Sequence, residues 1–257
     1  MPLQIVTVPC LSDNYAYLAH DVATGATAVI DVPEAAPVLN AMAQRGWKAS
    51  HILITHHHGD HIEGVETLAA ATGARVIGAA ADAHRLPPLD EPVAPGDTVR
   101  IGLDAGGVID APGHTIGHVA YYFPASRALF TGDSLMVMGC GRLFEGTPAQ
   151  MWDTLTRLSA LPGDTRVFSG HEYAQTNVRF ALTLEPDRPE LKARAEDIAR
   201  TRAVGGFTVP TTLAAERAAN PFLRAGDPAL KAAVGMAGAP DVEVFAEIRA
   251  RRNRFTG

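Results

Sequence analysis

The sequence predicts an α+β sandwich followed by a small C-terminal all-helical domain, and three observations predict it. Three short apolar strands separated by tight turns open the chain. Four later apolar runs each lead through a short turn into a histidine or an aspartate, and beyond Tyr173 strand-like runs largely give way to helical ones. The 257 residues can bury one large core, or a large one and a small one.

Taken in order, residues 3–8, 14–20 and 27–32 read as strands, with Ala23-Thr24-Gly25 turning between the second and third. Pro37 suits the first turn of a helix running to Gln44, which Gly46 stops. A strand over 51–55 follows, then a helix over 62–71 ended by Gly73, and a strand over 75–78. The Pro-rich stretch 82–95 reads as a surface loop. Strands are expected at 99–103 and 108–111, around Gly106-Gly107, then at 119–123, at 127–131 and, after a helix, at 166–169. Helices are expected at 173–185, 190–204, 212–219 and 242–253, with breaks at Gly205-Gly206 and Asn220-Pro221. The boundary falls near residue 172, giving domains 1–172 and 173–257.

Composition excludes several classes. Hydrophobic residues make up 47% and charged residues 19%, with no apolar run long enough to span a bilayer. The first ten residues lack a basic segment and a signal-type apolar core, so a cytoplasmic protein is expected, with no membrane partner. Cys10 and Cys140 are too few for a disulfide framework and are expected to be reduced. The net charge of −6 argues against nucleic acid as a partner. Only the last nine residues depart from it, carrying Arg249, Arg251, Arg252 and Arg254.

The chemistry concentrates in Ile52-Leu-Ile-Thr-His-His-His-Gly-Asp-His-Ile-Glu-Gly64. Side chains at i and i+2 of an extended segment share a face, so His56 and His58 can reach one metal while His57 points away. Asp60 and His61 follow the turn at Gly59 and are better placed for a second ion. Imidazole and carboxylate suit zinc, iron or manganese, and the lack of nearby cysteines argues against a closed structural zinc. The plainer alternative is a solvated polar turn. Against it stand His114, Asp133 and His171, each placed after an apolar run and a glycine. Strands ending this way could gather their ligands along one sheet edge. His118 is divided between supporting a ligand and packing; His20, His51, His57 and His84 read as structural or solvent-facing.

Thr55-His-His-His-Gly-Asp-His61 resembles the THxHxDH motif of the metallo-β-lactamase superfamily, whose fold is an αββα sandwich. From Asp13-Asn14-Tyr15 to Arg249-Ala-Arg-Arg252 the chain resembles glyoxalase II, the hydroxyacylglutathione hydrolases. The resemblance implies two divalent ions, zinc foremost with iron or manganese possible. It places His56, His58 and His114 on the first, Asp60, His61 and His171 on the second, and Asp133 between them. A metal-bridging hydroxide would then attack the thioester of S-D-lactoylglutathione, with Asp60 orienting it and managing its proton. The thiol leaving group, with a pKa of about 8.5, needs no dedicated acid. For the glutathione moiety the resemblance points to Arg142, Phe144, Tyr173, Arg249 and Arg252. Phe144 stands where the family usually has tyrosine, so that hydroxyl is missing; an arginine at 252 replaces the common lysine. A monomer acting on a small molecule is expected. The competing reading is an iron-dependent persulfide dioxygenase of the same superfamily, using His56, His114 and Asp133.

Overall fold

In a computed structural model, which describes residues 2–257, the chain resolves into two units, residues 2–111 with 117–132 and residues 112–116 with 133–257. The first begins with the expected meander. β1 (Gln4–Cys10), β2 (Asn14–His20) and β3 (Thr27–Ile30) pair antiparallel, Gln4 opposite His20 and Tyr17 opposite Ile30. The sheet then turns parallel, because helices carry the chain back between strands. α1 (Ala35–Ala43) leads to β4 (Ala49–Leu53), and α2 (Gly59–Ile62) with α3 (Val65–Thr72) to β5 (Arg75–Ala79). β6 (Glu91–Val93) completes the order β1-β2-β3-β4-β5-β6.

Val38, Met42 and Leu68 of the helices pack on Leu18, Val29 and Ile52 of this sheet. Against the sheet stand β7 (Thr98–Ile101), β8 (Asp104–Asp110), β9 (Val119–Phe123) and β10 (Ala128–Gly132), an antiparallel run. Tyr121 donates to the Ile54 carbonyl at 2.8 Å, and the Tyr17 and Phe130 rings lie 5.7 Å apart. Buried on both faces, β2 has no exposed residue.

Three local expectations need correction. Residues 82–95 are not all loop: β6 pairs with β5, and Pro92 is tolerated because an edge strand leaves one side unpaired. The expected helix over 62–71 divides at Gly64, where a β-carbon would lie 2.6 Å from the Ala35 nitrogen. Gly106-Gly107 lie inside β8, while the turn is at Gly102, with φ of +58°. Gly106 belongs in the strand because the Phe123 ring would stand 2.7 Å from any β-carbon there. Gly106→Val should therefore destabilise the protein by about 1–3 kcal/mol, read as a lower thermal midpoint; an unchanged midpoint would show that Phe123 can move aside.

In the second unit a short hairpin, β11 (Leu135–Met136) and β12 (Gly139–Cys140), precedes α4 (Pro148–Ser159). A capping box from Thr147 and Gln150, with Pro148 in the first turn, starts α4. β13 (Arg166–Ser169) pairs with β14 (Thr211–Thr212), so Thr212 ends a strand and caps a helix instead of only opening one. α5 (Ala174–Leu184), α6 (Pro189–Ala203), α7 (Leu213–Ala219), α8 (Pro228–Ala233) and α9 (Asp241–Arg254) complete it. Phe180, Phe222 and Phe245 form its aromatic centre, with centroids 6.0–6.1 Å apart. This unit reaches back before residue 172 to include α4 and β13. No described helix is long and apolar enough to cross a membrane.

Candidate functional site

In the first unit β4 hands the chain to Thr55, His56 and His58, and the short α2 carries Asp60 and His61. His56 Nε2 lies 3.2 Å from His58 Nδ1. His57 turns away to meet Asp82 Oδ2 at 3.2 Å, as alternation along an extended segment requires.

Asp31, just beyond β3, organises the group. It accepts from the Thr55 amide at 2.8 Å, from Thr55 Oγ1 at 2.7 Å and from His61 Nδ1 at 2.8 Å. Having spent its proton on Asp31, Thr55 Oγ1 can only accept from His56 Nδ1, 3.0 Å away. The neutral rings of His56 and His61 therefore carry their protons on Nδ1 and present Nε2 lone pairs. The oxygens of Asp31 face one backbone and two side-chain donors, which makes it an orienting partner of these histidines. Asn14 Nδ2 donates to Asp60 Oδ2 at 3.0 Å and to the Asp60 carbonyl at 2.9 Å, fixing the carboxylate while its side chain stays 43% exposed. His118 is fully buried and stacks on His56, centroids 4.8 Å apart, so its ring backs that histidine.

In the second unit His114 follows Gly113, whose φ of +143° suits glycine alone. His114 Nδ1 donates to the Arg142 carbonyl at 2.8 Å, so its Nε2 is also a lone-pair donor. Asp133 Oδ2 stands 3.4 Å from His114 Nε2 and 3.3 Å from His171 Nε2, all three residues buried. Tetrahedral ligands about 2.05 Å from a metal are about 3.3 Å from one another. The His56–His58, Asp133–His114 and Asp133–His171 spacings all meet that requirement. Imidazole and carboxylate without thiolate are the donors of a divalent-metal site, and both cysteines are buried free thiols.

The substrate-side candidates also lie in the second unit. Tyr173 stacks on His171 with centroids 4.7 Å apart, and Phe144 meets the His114 ring edge-on at 5.4 Å under the Arg142 guanidinium. Arg249 is buried, donating to the Cys140 carbonyl at 2.8 Å and to Asn253 Oδ1 at 3.1 Å. Arg252 donates twice to Asn177 Oδ1 at 3.3 Å. Among the described residues the hydrogen-bond partners of Arg249 and Arg252 are neutral groups, so no carboxylate cancels their charge there. Burial, then the like charge of Arg249 and more weakly of Arg142, pulls the Arg252 guanidinium below its ordinary value.

Sequence reasoning missed Asp31, Asn14, Asp82 and Asn177. Only Asp31 left a usable signal: Ala28-Val29-Ile30-Asp31 has the same kind of apolar run ending in a polar side chain as the strands that lead to the candidate ligands.

Two family models match the chain, that of the metallo-β-lactamase superfamily over residues 21–171 and that of the hydroxyacylglutathione hydrolase C-terminus over residues 172–255. A hydroxyacylglutathione hydrolase of Cereibacter sphaeroides is 64% identical over 255 residues, covering 99% of this chain and 100% of the relative. One from Rhodobacter capsulatus is 60% identical over 256 residues with the same coverage. Among solved structures, ETHE1 from Myxococcus xanthus matches with a TM-score of 0.66 at 28% identity, over 97% of this chain and 90% of that one. The BLEG-1 B3 metallo-β-lactamase matches at 0.67 and 21% identity, over 86% of this chain and 99% of that one, a likeness of fold alone.

Proposed function

Because the chain belongs to the hydroxyacylglutathione hydrolases of the metallo-β-lactamase superfamily, we propose that it cleaves S-(2-hydroxyacyl)glutathione, typically S-D-lactoylglutathione, to glutathione and a 2-hydroxy acid. That is the second step of methylglyoxal detoxification. The observation that carries this reading is the single Asp133 oxygen flanked by the Nε2 atoms of His114 and His171. A carboxylate so placed suits a bridge between two ions.

His56, His58 and His114 would hold one ion, and Asp60, His61 and His171 the other. When bound, such a pair, zinc foremost with iron or manganese acceptable, supplies a water of pKa about 7 and polarises the thioester carbonyl. Asp60, steadied by Asn14, would hold the second ion and orient such a water, helping to manage its proton. Arg249 and Arg252 hold the glycine carboxylate of glutathione, where uncancelled guanidinium charge favours an anion. Arg142, Phe144 and Tyr173 are assigned to contact the glutathione moiety. In this reading residues 1–172 do the chemistry and contribute Arg142 and Phe144 to binding, and residues 173–257 form the helical substrate-binding part, in a monomeric, cytoplasmic enzyme.

Purified, metal-analysed protein should abolish the thioester absorbance of S-D-lactoylglutathione. No turnover with two ions bound would overturn the reading. The dioxygenase alternative has little left to carry it, since full-length relatives at 55–64% identity are named hydroxyacylglutathione hydrolases; oxygen uptake with glutathione persulfide would revive it. Arg252→Ala should raise KM about tenfold with kcat little changed, the pattern of lost uniform binding. A fall in kcat at constant KM would place Arg252 elsewhere in the mechanism.

A further inference from the structure

Between Asp133 and Arg142 the chain makes the β11–β12 hairpin, only two residues a side. Its tip residue Met138 has φ of +59°, a left-handed backbone that a side chain resists. So short a hairpin is not stable by itself. Side chains from the helices hold it. Glu216 Oε2 accepts from the Met138 amide at 2.8 Å. Asn220 Nδ2 donates to the Gly139 carbonyl at 3.0 Å and to Met136 at 3.3 Å, while Asn177 Nδ2 donates to Val137 at 3.0 Å.

Glu216 is entirely buried, and the hydrolysis has no use for it. A carboxylate so placed is costly unless fully partnered. Its partners are present: Thr211 Oγ1 donates to Oε1 at 2.9 Å, Arg194 lies 3.5 Å from the same atom, and Asn220 donates to Oε2 at 3.0 Å. The hairpin that it braces also seats the substrate arginines. Arg249 rests on the Cys140 carbonyl, and Arg252 rests on Asn177, which is itself tied to Val137.

We propose that Glu216, with Asn220, is a positioning residue that sets selectivity for the substrate's terminal carboxylate: by fixing Met138 and Gly139 it fixes the Val137 and Cys140 carbonyls, and these set the reach of Arg252 and Arg249. The inference rests on the arginine clamp proposed above. A purely structural brace would lower stability and slow every substrate alike. A positioning role penalises only substrates whose carboxylate the arginines hold.

The test compares kcat/KM for S-D-lactoylglutathione and for its glycine ethyl ester, in which that carboxylate is masked. The wild-type enzyme should prefer the free acid. Glu216→Ala should reduce the preference about tenfold, through KM of the free acid, with the ester little affected. Glu216→Gln should restore it in part, because the amide oxygen can still accept from Met138 and Asn220 and its NH2 can donate to Thr211 Oγ1, although the ion pair with Arg194 is lost. Asn220→Ser keeps an oxygen to cap the Phe222 amide but releases the hairpin carbonyls, so it should lose selectivity too; it decides the matter if Glu216→Ala fails to fold. Wild-type preference with an undiminished ratio in the folded variants would overturn the positioning role alone. A wild-type enzyme indifferent to the ester would overturn the arginine clamp, and the inference with it.

Discussion

Replacing Asp133 by asparagine is expected to lower kcat about a thousandfold and to leave a folded protein that no longer retains its metal. Oδ2 of Asp133 faces two imidazole nitrogens at 3.4 and 3.3 Å. Asparagine fills the same volume, but its amide can present two very different atoms. With the oxygen inward the bridge has lost its negative charge, and two dications held close together would repel with less to offset them. With the NH2 group inward, an N–H points at the His114 Nε2 lone pair and satisfies it by hydrogen bonding. That second rotamer stabilises the metal-free protein at the expense of the loaded one. Circular dichroism should therefore be unchanged, while elemental analysis after dialysis shows the metal lost. Wild-type turnover with two ions retained would remove Asp133 from the bridging position.

Much of this candidate site was legible because its residues obey a local grammar. Strand, glycine and ligand lie within a few residues of one another, as at Phe130-Thr131-Gly132-Asp133 and Phe168-Ser169-Gly170-His171. The rest depends on contacts that sequence does not bring together. Asp31 lies 30 positions before His61, and only the parallel pairing of β3 with β4 carries it to Thr55 and α2. Arg249 illustrates a different loss. Four arginines in nine residues look like a solvated basic end, yet Val244, Phe245, Ile248 and Arg249 form one buried stripe of α9 at helical spacing. The arginine shares the inward face, and its guanidinium lies over the Phe222 ring at 5.1 Å. β6 was lost to Pro92, a residue that ordinarily argues against a strand and is harmless only at an edge.

Asp31→Asn should cost the enzyme about a hundredfold in metal affinity at the second site, with turnover falling alongside, although Asp31 is assigned no place among the ligands. The wild-type carboxylate only accepts: Oδ1 takes the Thr55 amide, and Oδ2 takes Thr55 Oγ1 and His61 Nδ1. Asparagine must point its NH2 at one side or the other. Toward the Thr55 amide it sets donor against donor, in a buried position where neither can turn to water. Toward His61 it becomes a donor to Nδ1, which must then give up its proton, and the proton moves to Nε2. A ring protonated on Nε2 has no lone pair there for a metal. The same rotation obliges Thr55 Oγ1 to accept from the amide and weakens its acceptance from His56 Nδ1, so the disturbance reaches His56 as well. One exchanged atom thus acts on two histidines through their hydrogen bonds, without moving either ring. The imidazole ¹⁵N shifts of His61 should report the proton transferred from Nδ1 to Nε2 in the metal-free variant, and metal analysis should report the second ion missing. An unaltered tautomer with both ions bound would mean that His61 takes its orientation from its packing alone.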